Sequence, residues 1–241
     1  MSSLVTERVA EGIEVVRLDR PERRNALDRA ALAELIAALQ ALAQDPELRV
    51  LVISTTSERA LCAGADVAEE LDREGGIERM AAFSRLYAAV EAFPAPTVCV
   101  CVGNCVGAGA ELAAGCDLRV GGENLRLAWA GARLGVPVGV ARLVPLVGLS
   151  RAKELIFSGR TVSMAEAAEL GLLARTAAAG EAEAVALALA HELAAHPPEG
   201  MRTLKGMFRD FEGSPARVAS ENEILERFQA EGPGLPQGGS R

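Results

Sequence analysis

The sequence predicts an α/β fold with mostly parallel sheets, and two observations carry that expectation. Short continuous apolar runs, such as Val50-Leu-Val-Ile53 and Thr97-Val-Cys-Val-Cys-Val-Gly103, read as strands buried on both faces, the pattern of sheets covered by helices. Strand-strand-helix units also recur along the chain, without a strict sequence repeat. Half of the 241 residues are apolar, ample for a packed core, which excludes a disordered chain.

Residues 9–19, with the β-branched segment Ile13-Glu-Val-Val-Arg-Leu18, read as a strand that ends before Pro21. Asp28 is placed to cap a helix over 30–43, where Leu32, Leu35, Ile36 and Leu39 fall at helical spacing; Asp45-Pro46 closes it. A buried strand follows at 49–55, and Leu61-Cys-Ala-Gly-Ala-Asp66 is a small-residue turn leaving a second such unit. Residues 69–78, acidic and broken by glycine, read as a mobile loop with short helical pieces before a helix over 80–93. After the strand at 97–103, Gly107-Ala-Gly-Ala110 opens a helix running to about Ala114, and 117–120 is a further strand. From 140 onward the pattern is helical, in segments at 142–147, 150–158, 164–170, 181–195, 200–211 and 215–228. The expected organisation is a core at 1–190, a helical region at 191–231 and a flexible tail at 232–241.

A net charge of −8 argues against non-specific attraction to nucleic acid or to an anionic membrane, both of which need a basic surface. The first residues carry no apolar segment behind basic ones, so a cytoplasmic location is expected. The apolar stretch 96–120 is interrupted by Glu111, Asp117 and Arg119 and reads as strand, turn and helix, not as a membrane span. Cys62, Cys99, Cys101, Cys105 and Cys116 are odd in number and lie mostly in apolar sequence lacking His and C-x-x-C spacing. They read as small buried apolar residues, not as a disulfide framework or a zinc site.

Two turns carry the chemistry. The glycine-flanked Ala63-Gly64-Ala65 and the Gly107-Ala108-Gly109 turn are both suited to presenting unpaired backbone N–H groups, the second with the positive end of a helix behind it. Glu111 lies one helical turn beyond Ala108, so its carboxylate is expected to face the same cavity. Adjacent Arg23 and Arg24, in an acidic protein and near a predicted ligand loop, are plausible phosphate partners or a solvated surface pair.

Taken together, Arg20-Pro-Glu-Arg-Arg-Asn-Ala-Leu27, Leu61-Cys-Ala-Gly-Ala-Asp66, the glycine-rich segment 103–117, and Phe157-Ser-Gly-Arg160 with the run 165–173 resemble the crotonase (enoyl-CoA hydratase/isomerase) family over roughly residues 9–210. The resemblance implies a ββα spiral core holding an acyl-CoA site, followed by a C-terminal helical region that assembles a homotrimer, or a hexamer of stacked trimers. It assigns the two oxyanion-hole amides to Ala65 and Ala108. It places coenzyme A against Arg23, Arg24, Ala26, Ala63, Gly64, Asp66 and Gly107, and makes Glu111 an acid/base. No metal or redox cofactor is implied; coenzyme A arrives as part of the substrate.

The sequence departs from the family at its second carboxylate. The position where hydratases carry their other glutamate aligns with Gly131, and the position where some isomerases and dehalogenases place an aspartate aligns with Gly139. The expected function is therefore hydratase- or isomerase-like chemistry with Glu111 as the single acid/base. The alternatives are another enolate-forming reaction, decarboxylation or thioester hydrolysis, or a CoA-thioester-binding protein without turnover. Tyr87, Trp129, Arg133, Asp72 and Glu74 are candidates to fill the gap; His191 and His196 are expected on the surface.

Overall fold

A computed structural model describes residues 2–236. Among them the chain builds two sheets, and from the third strand to the eighth successive strands alternate between the two. The first consists of β1 (Leu4–Ala10), β2 (Ile13–Leu18), β3 (Val50–Thr55), β5 (Thr97–Cys101), β7 (Leu118–Gly122) and β10 (Arg175–Ala177), in that spatial order. The β1/β2 pair is antiparallel and all later pairs are parallel. The second, smaller sheet takes β4 (Ala60–Cys62), β6 (Asn104–Val106), β8 (Arg126–Ala128) and β9 (Val162–Ser163).

Three turns of a spiral result. β3 and β4 are followed by α2 (Arg73–Glu91), β5 and β6 by α3 (Ala108–Gly115), and β7 and β8 by the 3-10 turn Ala130–Leu134 and α4 (Val140–Val147). α1 (Arg29–Ala43) precedes them, its N-cap Asp28 accepting the Ala31 N–H at 2.8 Å. The remaining helices are α5 (Leu149–Ser158), α6 (Met164–Glu169), α7 (Ala182–Ala194), α8 (Pro198–Glu212) and α9 (Ser214–Glu231).

The central strands lack polar alternation because both faces are covered. Val50, Val52, Val98, Val100 and Val120 pack under Ala182, Ala186, Leu189 and Ala190 of α7, whereas Leu51, Ile53 and Cys99 point into the core shared with α1, α2 and α3. All five cysteines are buried, unpaired thiols. α9 lies along α2 and α4, bringing its buried residues Val218, Glu221, Asn222 and Leu225 over the start of the spiral's inner helices.

Several segments differ from their sequence reading. Residues 9–19 are not one strand: Gly12, at φ 72°, reverses the chain, and a preceding, largely polar strand β1 pairs back on β2. The acidic stretch 69–78 is mostly helix. Asp72 accepts the Gly75 N–H at 2.7 Å, Gly75 and Gly76 are buried inside α2, and Glu69 is held by Arg29 and Arg79, so capping and packing override the two glycines. The helical third also contains β9 and β10, too short to register as a pattern. Of the tail expected to be flexible, 237–241 lie outside the described residues. Within 232–236, Leu235 is buried and its N–H donates to Gln229 Oε1 at 2.9 Å.

α3 rests directly on the end of β4. A Cβ added at Gly109 would lie 2.1 Å from the Cys62 carbonyl oxygen and 3.0 Å from its carbon, a backbone overlap that no rotamer relieves. Gly109→Ala should therefore cost about 3 kcal/mol, the upper end of overpacking penalties, against about 1 kcal/mol for loss of the α1 cap in Asp28→Ala. Urea unfolding midpoints of the two variants check the order; a wild-type midpoint for Gly109→Ala contradicts the contact.

Candidate active site

The two predicted amide turns meet. Gly64, at φ 109°, turns the chain after β4, and a Cβ there would lie 3.1 Å from the Val106 carbonyl and 3.9 Å from the Ala108 nitrogen. Gly107, at φ 54°, makes the matching turn at the head of α3. Both conformations lie in the left-handed region, where a side chain is strained. The neighbouring amides are accounted for: Ala63 N–H donates to Arg24 O, Asp66 N–H to Leu27 O and Gly107 N–H to Ala128 O. The N–H groups of Ala65 and Ala108 have no acceptor among the described residues, and Ala108 opens a helix whose first-turn amides have no intrahelical partner.

Both residues line one cavity of about 260 Å³. Ala63, Gly64, Gly107, Gly131 and Val106 complete its polar floor. Its walls are apolar, with Met80, Phe83, Tyr87, Val136, Val138 and Leu225 among the residues that line it. Unpaired backbone donors in a chamber with little water are suited to a developing oxyanion.

Glu111 sits one turn into α3, 1% exposed, and is not among the lining residues. Its Oε2 accepts from Arg142 Nε of α4 at 2.5 Å, while its Oε1 has no partner among the described residues. Burial pushes its pKa up to about 7; the Arg142 charge opposes that shift and Glu221 adds to it. Arg142 also donates through Nη2 to Glu221 of α9, stacks over the Tyr87 ring at 4.4 Å, and leaves Nη1 without a partner. Glu221 Oε2 accepts the Ala141 N–H at 2.8 Å. The Trp129 Nε1–H, also buried, is unpaired.

The other sequence-predicted residues divide. Ala63, Gly64, Ala65, Gly107 and Ala108 line the cavity; Arg23, Arg24, Ala26 and Asp66 do not. Arg23 and Arg24 are exposed and form no ion pair among the described residues, and Arg24 adopts a left-handed φ of 51° that directs its carbonyl to Ala63. Ala26 accepts from Arg20 Nη1 at 2.6 Å, and Asp66 is paired with Arg20. Tyr87 and Trp129 are buried at the site and Arg133 is exposed. Asp72 is engaged as the cap of α2 and Glu74 is fixed in its first turn, so neither swings in from a loop. His191 and His196 are exposed, as expected.

Positions 131 and 139, where the resemblance implies carboxylates in other members, leave no free room for a side chain. A Cβ on Gly131 would meet the Val136 carbonyl at 2.9 Å, and one on Gly139, at φ 109°, would meet Glu111 Oε1 and Trp129 Cδ1, each at 2.9 Å. Sequence reasoning missed Arg142 and Glu221. Arg142 carried a signal, a lone charge in the apolar helix Val-Ala-Arg-Leu-Val-Pro-Leu-Val, which must be buried against an anion. Glu221 lies in a polar stretch and carried none.

The family model described as Enoyl-CoA hydratase/isomerase matches residues 8–231. A putative enoyl-CoA hydratase of Thermus thermophilus is 38% identical over 200 residues, 80% of this chain and 79% of that protein. The 2,3-dehydroadipyl-CoA hydratase of Escherichia coli is 33% identical over 235 residues, 95% of this chain and 91% of that protein. Among solved structures, an enoyl-CoA hydratase/isomerase from Xanthobacter autotrophicus Py2 superposes with a TM-score of 0.86 at 26% identity, covering 98% of this chain and 89% of that one.

The raised pKa of Glu111 has a sign. The unfolded chain gives up this proton near the ordinary glutamate value of 4.5, the folded chain only near 7. Stability from this group is thus full below about 4.5 and is lost as pH rises to about 7, by on the order of 3 kcal/mol. Thermal unfolding of wild type and Glu111→Gln should diverge across that window, the wild type losing more; parallel curves contradict the shift. Gly131→Glu should lower the melting temperature and gain no activity, because its Cβ overlaps backbone.

Proposed function

The chain belongs to the enoyl-CoA hydratase/isomerase family, and from that premise we propose that it processes an acyl-CoA thioester, polarising the thioester carbonyl with the Ala65 and Ala108 amides. The observation that carries this reading is the pair of unpaired N–H groups, among the described residues, on one apolar-walled cavity at the Gly64 and Gly107 turns. Charge that develops on the carbonyl oxygen is stabilised there without reorganisation, each donor being worth about 3 kcal/mol. Arg23 and Arg24, exposed and unpaired on the loop tied to Ala63, are available to the phosphates of coenzyme A, with Ala26, Gly64, Asp66 and Gly107 shaping the approach.

In this reading Glu111 is the acid/base. Its proton is exchangeable near neutral pH and its Oε1 carries no competing hydrogen bond among the described residues, both of which suit general acid–base catalysis of hydration or of a double-bond shift once a substrate comes within its reach. The substrate brings the coenzyme, and the proposal invokes no metal or redox group. Assembly as a homotrimer or hexamer is part of the same proposal. The α8 stripe of Leu204, Met207, Phe208 and Phe211 is exposed at helical spacing and supports it. No helix among the described residues is long and apolar enough to cross a membrane.

A second reading has an observation of its own. Glu111 is sealed from the cavity, which favours an enolate-forming reaction, decarboxylation or thioester hydrolysis, in which the two amides supply the catalysis and Glu111 touches nothing. Absorbance assays with 2-enoyl- and 3-enoyl-CoA thioesters separate the two. Under the first reading Glu111→Gln lowers kcat by about 10²- to 10⁴-fold with KM little changed. Ala108→Pro lowers kcat by about 10²- to 10³-fold, since proline at the first helical position deletes that N–H and no intrahelical bond. Full activity of Glu111→Gln with loss in Ala108→Pro moves the assignment to the second reading; full activity of both overturns the amide site.

A further inference from the structure

A single buried chain of charge runs from α3 through α4 to α9: Glu111, Arg142, Glu221. All three side chains are less than 9% exposed. Two carboxylates against one guanidinium leave one negative charge in excess, and excess charge out of water is relieved by taking up a proton. Geometry says where that proton goes. Glu221 commits both oxygens to donors, Oε1 to Arg142 Nη2 and Oε2 to the Ala141 N–H in the first turn of α4. Glu111 commits only Oε2, and its Oε1 is bare.

We infer that Glu221 is a positioning residue for the chemistry proposed above: by holding Arg142 on the Oε2 side of Glu111, it reserves Oε1 as the oxygen that carries the exchangeable proton. Its connection to turnover rests on the acyl-CoA reading, whereas the charge arrangement stands without it. The position of Arg142 follows from the same pairing. Its guanidinium spans the two carboxylates and stacks on Tyr87, so without the Glu221 end it stays paired with Glu111 but is no longer held on the Oε2 side.

The groups acting on Glu111 are few. Arg142 from α4 and Glu221 from α9 are the charged ones, and they pull its pKa in opposite directions, down and up respectively. Tyr87 from α2 and Cys62 from β4 border the cluster, and burial pushes both up, Cys62 to about 12, so neither is charged near neutral pH. The thiols Cys101 of β5 and Cys105 of β6 donate to backbone carbonyls. Arg217 of α9 reaches the Ala141 carbonyl at 3.5 Å from a partly exposed position and pairs with Glu212.

The test is carboxyl-carbon NMR of protein labelled at glutamate, titrated through neutral pH, together with kcat and KM on the enoyl thioester. Wild type should show one carboxyl titrating near neutral pH, absent from Glu111→Gln. In Glu221→Gln that signal should move to lower pH, and in Arg142→Met to higher pH, each by roughly one unit or more. Glu221→Gln should lower kcat by up to about 10²-fold, the cost of a misplacement near 1 Å, with KM close to wild type. A residue that only stabilised the fold would not move the two variants in opposite directions.

An unmoved signal and unchanged kcat in Glu221→Gln overturn the inference while leaving the acyl-CoA reading intact. Moved signals in a protein that turns over no enoyl thioester keep the charge arrangement and overturn both its connection to turnover and the hydration or double-bond-shift reading. Should Glu221→Gln fail to fold, the wild-type titration decides, because a wild type with no glutamate titrating near neutral pH contradicts the reserved proton.

Discussion

A methyl group on Gly109 would fall 2.1 Å from the carbonyl oxygen of Cys62, and the contact this glycine permits sets where α3 begins relative to β4. With α3 any further out, the Gly107 turn would not reach the Gly64 turn, whose Cα already lies 4.0 Å from a Cβ built on Gly107. The pair of amides at Ala65 and Ala108 exists because two backbones approach more closely than side chains allow. The two-sheet spiral supplies the rest of that geometry. β4 and β6 are parallel neighbours in the small sheet, so their C-terminal turns emerge side by side, and each turn leads to a helix that closes over the same space.

Charge is the second constraint. The helix that brings the Ala108 amide to the cavity also carries Glu111 into the core, where an isolated carboxylate is costly. Arg142 offsets that cost through its Nε, and α9 supplies Glu221 as the acceptor for its Nη2. Substituting Arg142 alone would leave two buried carboxylates without a cation, a loss of roughly 3 to 5 kcal/mol. The C-terminal helix is therefore bound to the spiral by the same charges that set the protonation of Glu111. It also contributes Leu225 to the cavity wall, and Leu235 follows from the segment behind it.

What the sequence revealed follows from how local each feature is. The central strands of the large sheet, the Asp28 cap and the two glycine turns are written in contiguous residues, and each was legible. The helix at 73–79 was not, because its glycines oppose it and its support comes from Asp72 and from arginines and glutamates distant in sequence. β1 was hidden by its polar face, and β9 and β10 by their length. At the site, Glu111 stood out as a charge in apolar surroundings, and by the same logic Arg142 could have been matched to it as the complementary charge. Glu221 could not, since an acid in a polar helix reads as solvated until the fold shows that its face is buried.

Gly131 and Gly139 acquire a different meaning in this light. In sequence they are positions from which a carboxylate is missing. In the fold, a side chain at 131 would collide with the Val136 carbonyl, and one at 139 with the Glu111 carboxylate itself. The space that a second acid would occupy from the loop between β8 and α4 is filled by backbone and by Trp129. The second acid of this cluster instead enters from α9, on the far side of Arg142. A carboxylate placed there adds to the raising of the Glu111 pKa without lining the cavity, on which the unpaired amides of Ala65 and Ala108 lie. Charge around Glu111 is thus set by Arg142 of α4 and Glu221 of α9, beside two glycines that leave no room for a further side chain.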